Sequence, residues 1–123
     1  MGVVYYANYL VYFEVARTTA LADLDHPYWE MEKQGVLIPV LRAHCEYQSP
    51  ARYGYNLIVR TLRSRLGRAR IRFDYTVLRE NVAGDPTPLA SGFTEHAFVS
   101  PEGKPLRPPQ GLIALFPEKT GIE

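Results

Sequence analysis

From Tyr9 to Leu24, apolar side chains recur at helical spacing: Tyr9, Leu10, Phe13, Ala16, Ala20, Leu21 and Leu24. This is the i, i+3, i+4, i+7 rhythm of a helix that buries one stripe. Glu14, Arg17, Thr18 and Asp23 take up much of the remaining surface. No later segment keeps this period for as long, and most of the chain beyond Gly35 alternates with the period of a strand. One long amphipathic helix and a set of half-buried strands cover each other best when the helix lies on the sheet. The expectation is an α+β fold, one long helix wrapped by an antiparallel sheet, formed by residues 1–123 as a single domain.

The rest of the chain fills in that outline. Asp25 is suited to cap a second, short helix with Pro27 in its first turn, carrying Tyr28, Trp29 and Met31 and stopping at Gly35. Tyr28 and Trp29 read as packing residues. Val36 to Tyr47 reads as a strand, with Leu41, Ala43, Cys45 and Tyr47 on one face and Arg42, His44, Glu46 and Gln48 on the other. Pro39 cannot donate to a ladder, so this strand lies at an edge or is bulged there. Asn56–Arg65 and Ala69–Glu80 form a hairpin turning at Gly67. Leu89 to Val99 supplies another strand, and Lys104 to Arg107 a short last one. Gln110 to Lys119 is expected to form a short helix.

Composition excludes several classes of function. The net charge of +1 lacks the basic excess of a general nucleic-acid binder. One cysteine, Cys45, permits neither an internal disulfide nor a multi-cysteine metal site, and its place in an alternating strand makes it a small buried residue. The histidines, His26, His44 and His96, are too scattered to ligate a metal, and His44 and His96 read as strand-surface or interface residues. No apolar run reaches the ~20 residues that span a bilayer, and no signal peptide is visible. The chain therefore reads as a cytoplasmic protein. Its positive charge is uneven: Arg60, Arg63, Arg65, Arg68, Arg70 and Arg72 crowd one hairpin, as a wet strand face or as a phosphate site.

The segment G-V-V-Y-Y-A-N-Y-L-V-Y-F-E-V-A-R, Gly2 to Arg17, resembles the signature of hotdog-fold acyl-CoA thioesterases of the 4-hydroxybenzoyl-CoA thioesterase type. It is most similar to the branch near the Tol-Pal-associated enzymes, and the resemblance extends over nearly the whole chain. It implies a hotdog fold, hydrolysis of a fatty or aromatic acyl-CoA, no cofactor, and assembly into a homodimer or homotetramer. In such enzymes a catalytic aspartate precedes the glycine matched by Gly2, so it would lie upstream of Met1. A start codon assigned too late explains its absence, and the strand that normally precedes the motif would be missing with it. A hotdog dehydratase needs a histidine in the helix region, and Gly2 to Leu24 has none.

Thioester hydrolysis needs a base or nucleophile and a donor for the carbonyl oxygen as charge develops on it. The first N–H groups of a helix lack intrahelical partners, which makes them suitable donors. The resemblance gives that role to the backbone amide of Tyr6. It places Gly2, Val3 and Asn8 beside the substrate, and Asn8 is also suited to bracing the helix start. Glu14 matches an acid near the substrate's far end; its alternative is a surface ion pair with Arg17. Glu14 lies roughly 12 Å along the helix from Tyr6, far for a substitute base. Arg68 and Arg70, at the hairpin tip, match the region that binds the nucleotide of coenzyme A. The alternative to an enzyme is a hotdog module that binds acyl-CoA or a protein without turnover.

Overall fold

The computed structural model describes residues 8–50, 52 and 54–119. Its elements are α1 (Asn8–Asp23), α2 (Tyr28–Lys33), β1 (Val40–Tyr47), β2 (Leu57–Leu66), β3 (Arg70–Arg79), β4 (Thr87–His96) and α3 (Gln110–Ile113). The strands form one sheet in the order β1-β4-β3-β2, antiparallel throughout. This is the helix-on-sheet arrangement expected from the sequence. The hairpin is also as expected: β2 and β3 pair from Leu57–Arg79 to Leu66–Arg70, and Gly67 turns between them at φ 65°.

Strand alternation decides what faces α1. Ile71, Phe73, Tyr75 and Val77 of β3 lie opposite His96, Thr94, Gly92 and Ala90 of β4, and together they form the inner face. Phe13 of α1 stacks on Tyr75 with ring centroids 4.2 Å apart and planes inclined by 5°. Gly92 permits this approach. A Cβ at Gly92 would strike the His44 carbonyl oxygen and stand 2.9 Å from Cε2 of Phe13. The helix is therefore seated over the middle of the sheet by a ring that occupies the space a side chain would need.

The outer face of the sheet holds ions. Arg72, 2% exposed, donates from Nε and Nη2 to Asp74 and from Nη1 to Glu95, at 2.9 to 3.2 Å. Its guanidinium carbon lies 3.8 Å from the centroid of the Phe93 ring. Arg42 donates to the other oxygen of Glu95 at 3.1 Å. A buried charge is tolerated when its hydrogen-bond positions are filled in this way.

The ends of several elements differ from the sequence reading, although the edge position and irregularity expected at Pro39 are present. Asp25 does not cap α2. It takes a left-handed conformation, φ 62°, and closes α1: its N–H bonds Ala22 O and that of His26 bonds Leu21 O. That is the paired termination usually built on glycine, and Pro27 takes the N-cap of α2 instead. Trp29 is not a packing residue; it is 61% exposed, with Lys33 Nζ over its ring. Pairing in β1 begins at Val40, with a register shift before Arg42 just past Pro39, and Leu37 makes only an isolated bridge to Val99. The expected tail helix stops at Ile113. Phe116 then packs edge-on against Phe73, and residues 117–119 lie parallel to β2 at Arg65.

Gly92→Ala is expected to lower stability by more than about 2 kcal/mol, because backbone and Phe13 must both retreat. A thermal melt checks this; an unchanged midpoint would contradict the close approach of α1.

Candidate functional site

Seated over the sheet centre, α1 leaves a depression on each flank. Toward β2 runs an open apolar groove of about 610 Å³, lined by Val15, Ala16 and Ala20 of α1 and by Leu57, Val59 and Thr61 of β2. Between Leu57 and Arg63 the outer edge of β2 carries no strand among the described residues; at Arg65 the C-terminal segment covers it. Toward β1 lie two smaller cavities. The outer one, about 260 Å³, is lined by Leu10, Val11, Glu14 and Arg17 of α1 with Val40, Ala43 and Thr94. The inner one, about 120 Å³, also has Glu14 and Arg17 in its wall, with Leu21, Ile38, Phe73 and His96.

The polar groups on the β1 flank form a directed chain. His96 Nδ1 lies 3.4 Å from Ile38 O, and its Nε2 lies 2.8 Å from Thr94 Oγ1. A carbonyl only accepts, so Nδ1 carries the hydrogen and Nε2 accepts from the Thr94 hydroxyl. Thr94 Oγ1 in turn accepts from the Tyr75 hydroxyl at 2.6 Å. The charge of Arg17 acts on both ends of this chain, on the Tyr75 phenol and on His96. Burial pushes the Tyr75 phenol up, against the pull of Thr94 and Arg17. Burial, with the nearby Arg17 charge, lowers His96 from 6.5 to about 4, which keeps the ring neutral as the tautomer requires.

The sequence-derived candidates fall into three groups. Tyr6, Gly2 and Val3 lie outside the described residues. Glu14 and Asn8 stand on α1, Asn8 as its first residue and Glu14 in the wall of both β1-side cavities. Glu14 and Arg17 form no ion pair with each other among the described residues. Arg68 and Arg70 are exposed at the far end of the β2–β3 hairpin, well apart in sequence and fold from Glu14.

Three of the other hairpin arginines have local partners. Arg63 donates to Leu115 O, Arg65 to Gly67 O, and Arg72 belongs to the outer-face ion cluster. His96 corrects the surface reading: it is 1% exposed. Cys45 is only half-buried, packed at the core margin. Sequence reasoning missed Arg17 and His96 as members of the cleft. Arg17 had a ready surface explanation, and the period-two pattern left open which face of β4 was covered.

The described residues contain no cluster of His, Cys, Asp and Glu able to hold a metal ion. No helix among them is long and apolar enough to cross a membrane.

The lowered His96 value makes stability depend on pH. Between about pH 6.5 and pH 4 the unfolded chain takes up a proton that the folded chain refuses. Stability falls as pH drops through that window, by about 3 kcal/mol, and levels off below it. Denaturant midpoints of the wild-type and His96→Gln proteins across this range are expected to differ in slope, with the variant flatter. Parallel curves would contradict a neutral buried His96.

Comparison with known proteins gives the geometry a family. Residues 1–120 match the model of the thioesterase-like superfamily. The chain is 31% identical over 115 residues to an Aquifex aeolicus protein assigned as an esterase, covering 94% of this chain and 85% of that one. It is 49% identical over 61 residues to a Bacillus subtilis protein provisionally named as the acyl-CoA thioesterase YneP. That match spans 50% of this chain and 44% of the relative. The fold superposes with TM-score 0.78 on a DHNA-CoA thioesterase from Staphylococcus aureus, 31% identical, covering 87% of this chain and 70% of that one. With its four-stranded antiparallel sheet laid against one long helix, the chain belongs to the thioesterase-like superfamily of hotdog proteins.

Proposed function

We propose that the protein is a cytoplasmic acyl-CoA thioesterase that hydrolyses a fatty or aromatic acyl-CoA. Water adds to the thioester carbonyl, the C–S bond breaks, and coenzyme A leaves as the thiol while the acyl group leaves as the acid. The observation that carries this reading is the cleft on the β1 flank of α1, in a chain of the thioesterase-like superfamily. The cleft runs from Leu10 and Val11, near the helix start, to Glu14 and Arg17. An acyl group lying along it would bring its thioester toward the first turn of the helix. In this reading the Tyr6 amide holds the carbonyl oxygen, Gly2, Val3 and Asn8 flank the substrate, and Glu14 contacts the acyl group.

The base or nucleophile is read as an aspartate on a segment upstream of Met1. The β2 flank supports this: the bare stretch of β2 edge and the apolar groove beside it suit one further strand. The Aquifex and Staphylococcus relatives are longer than the segments they share with this chain, which leaves room for such a strand. Arg68 and Arg70 are exposed, their side chains with no hydrogen bond or ion pair among the described residues, and suit the phosphates of coenzyme A.

Assembly as a homodimer or homotetramer belongs to the same reading. β1 is an edge strand, and Val40, Leu41 and Tyr47 on it are 44 to 49% exposed. Leu10 and Val11 of α1 extend the apolar surface beside it, so a second copy would cover the cleft and the edge together.

A thiol-release assay with short, long and aromatic acyl-CoAs tests the proposal, on the 123-residue chain and on one extended through the upstream reading frame. Turnover by the extended chain is expected. Binding without turnover by both forms would favour the non-catalytic module and overturn the enzyme. Arg68→Ala and Arg70→Ala are each expected to raise KM several-fold, by roughly the value of one exposed charge contact, with the effect shrinking as salt rises.

A further inference from the structure

We propose that Arg17 is the specificity-determining residue of the cleft, receiving a carboxylate at the far end of the acyl group. The inference deepens the thioesterase reading and rests on it. Arg17 is half-buried and stands in the wall of both β1-side cavities. The outer cavity sets Leu10, Val11, Val40 and Ala43 beside it; the inner one is mixed, with Thr18, Tyr28 and His96 as well as Leu21, Ile38 and Phe73. A charge withdrawn from water is normally paired. Among the described residues no carboxylate forms an ion pair with Arg17. Glu14 shares both cavity walls, yet is exposed and directs no oxygen to it.

The contrast with Arg72 is informative. On the outer face the guanidinium of Arg72 is satisfied by Asp74 and Glu95. On the inner face no carboxylate among the described residues pairs with Arg17, whose charge is felt by Tyr75 and His96. That leaves a planar fork of donors in the wall of both cavities with no anionic partner among the described residues, and such a fork binds a carboxylate through two parallel hydrogen bonds.

The chain Tyr75–Thr94–His96 lies within reach of the Arg17 charge. Each proton in it is committed: Tyr75 to Thr94, Thr94 to His96 Nε2, and Nδ1 to Ile38 O. The Tyr75 oxygen keeps its accepting capacity, and Arg17 stands in the walls of both cavities. The outer cavity, about 260 Å³, has room for a ring or a short chain. Its far end meets Arg17. An acyl group ending in hydrocarbon would leave that cation unpaired; one ending in a carboxylate would pair it. The substrate class this selects is the mono-CoA thioester of a dicarboxylic acid.

Non-hydrolysable CoA thioethers separate this inference from the parent reading. Calorimetry on the wild-type chain would compare S-(4-carboxybenzyl)-CoA, S-(4-hydroxybenzyl)-CoA and S-benzyl-CoA. The carboxylate is expected to bind at least about tenfold tighter than the plain ring, the value of a charge-assisted hydrogen bond in a partly desolvated slot. Arg17→Gln is expected to bring that ratio close to unity, and Arg17→Lys to keep part of it. The lysine variant preserves the charge should the glutamine variant misfold, which circular dichroism would reveal. Equal binding of the carboxylate and plain compounds, or a preference that survives Arg17→Gln, overturns this inference alone. So does a preference for the hydroxyl compound abolished by Glu14→Gln, which would assign acyl recognition to Glu14. Failure of all three thioethers to bind overturns the acyl-CoA reading and this inference with it.

Discussion

The face-to-face contact of Phe13 with Tyr75, made over the bare backbone of Gly92, sets the position of everything else. Aromatic stacking adds about 1 kcal/mol beyond the area it buries, but its structural consequence is larger than its energy. A helix that touched the sheet through longer side chains could slide or roll. Here a ring fills the space that a Cβ at Gly92 would need, so α1 has one place to sit. Its two flanks are fixed by that seat: the cavities beside β1 and the groove beside β2.

The flanks differ because strand alternation distributes polarity unevenly. The inner face of β4 presents Thr94 and His96 near β1, whereas β2 presents Leu57, Val59 and Thr61 to the helix. Polar groups buried in a core must find partners, and Tyr75, Thr94 and His96 find them in one another. Arg17, in the walls of the cavities beside them, sets a cation next to this chain at the cleft. The β2 flank has no such chain; its apolar floor and the unpaired edge beside it are the features of a surface that another strand would cover.

Much of this was legible in the residues. The helical rhythm from Tyr9 to Leu24 located α1, and alternation in Ala69–Glu80 identified Ile71, Phe73, Tyr75 and Val77 as one buried face. The Gly67 turn was evident from the gap between two alternating runs. The motif from Gly2 to Arg17 led to the family. Other features were hidden for physical reasons. Leu10 fits the buried stripe by spacing yet is 46% exposed, since it stands in the wall of the open cavity on the β1 flank. His96 looked like a surface residue because an alternating strand does not declare which of its faces is covered. Asp25 carries the signature of a helix start, but the side chains that cap helices also tolerate the left-handed turn that ends them. Arg72 resembles its neighbours in an arginine-rich run; only the pairing of β3 with β4 brings Glu95 beside it.

If α1 does divide the surface in this way, recognition chemistry belongs to the β1 side of the helix. A crystal structure of the protein with a bound aryl-CoA thioether would test that division most directly. The account predicts density for the aryl group between α1 and β1, against Leu10, Val11 and Ala43. An aryl group seated instead in the groove between α1 and β2, against Val15 and Val59, would contradict it.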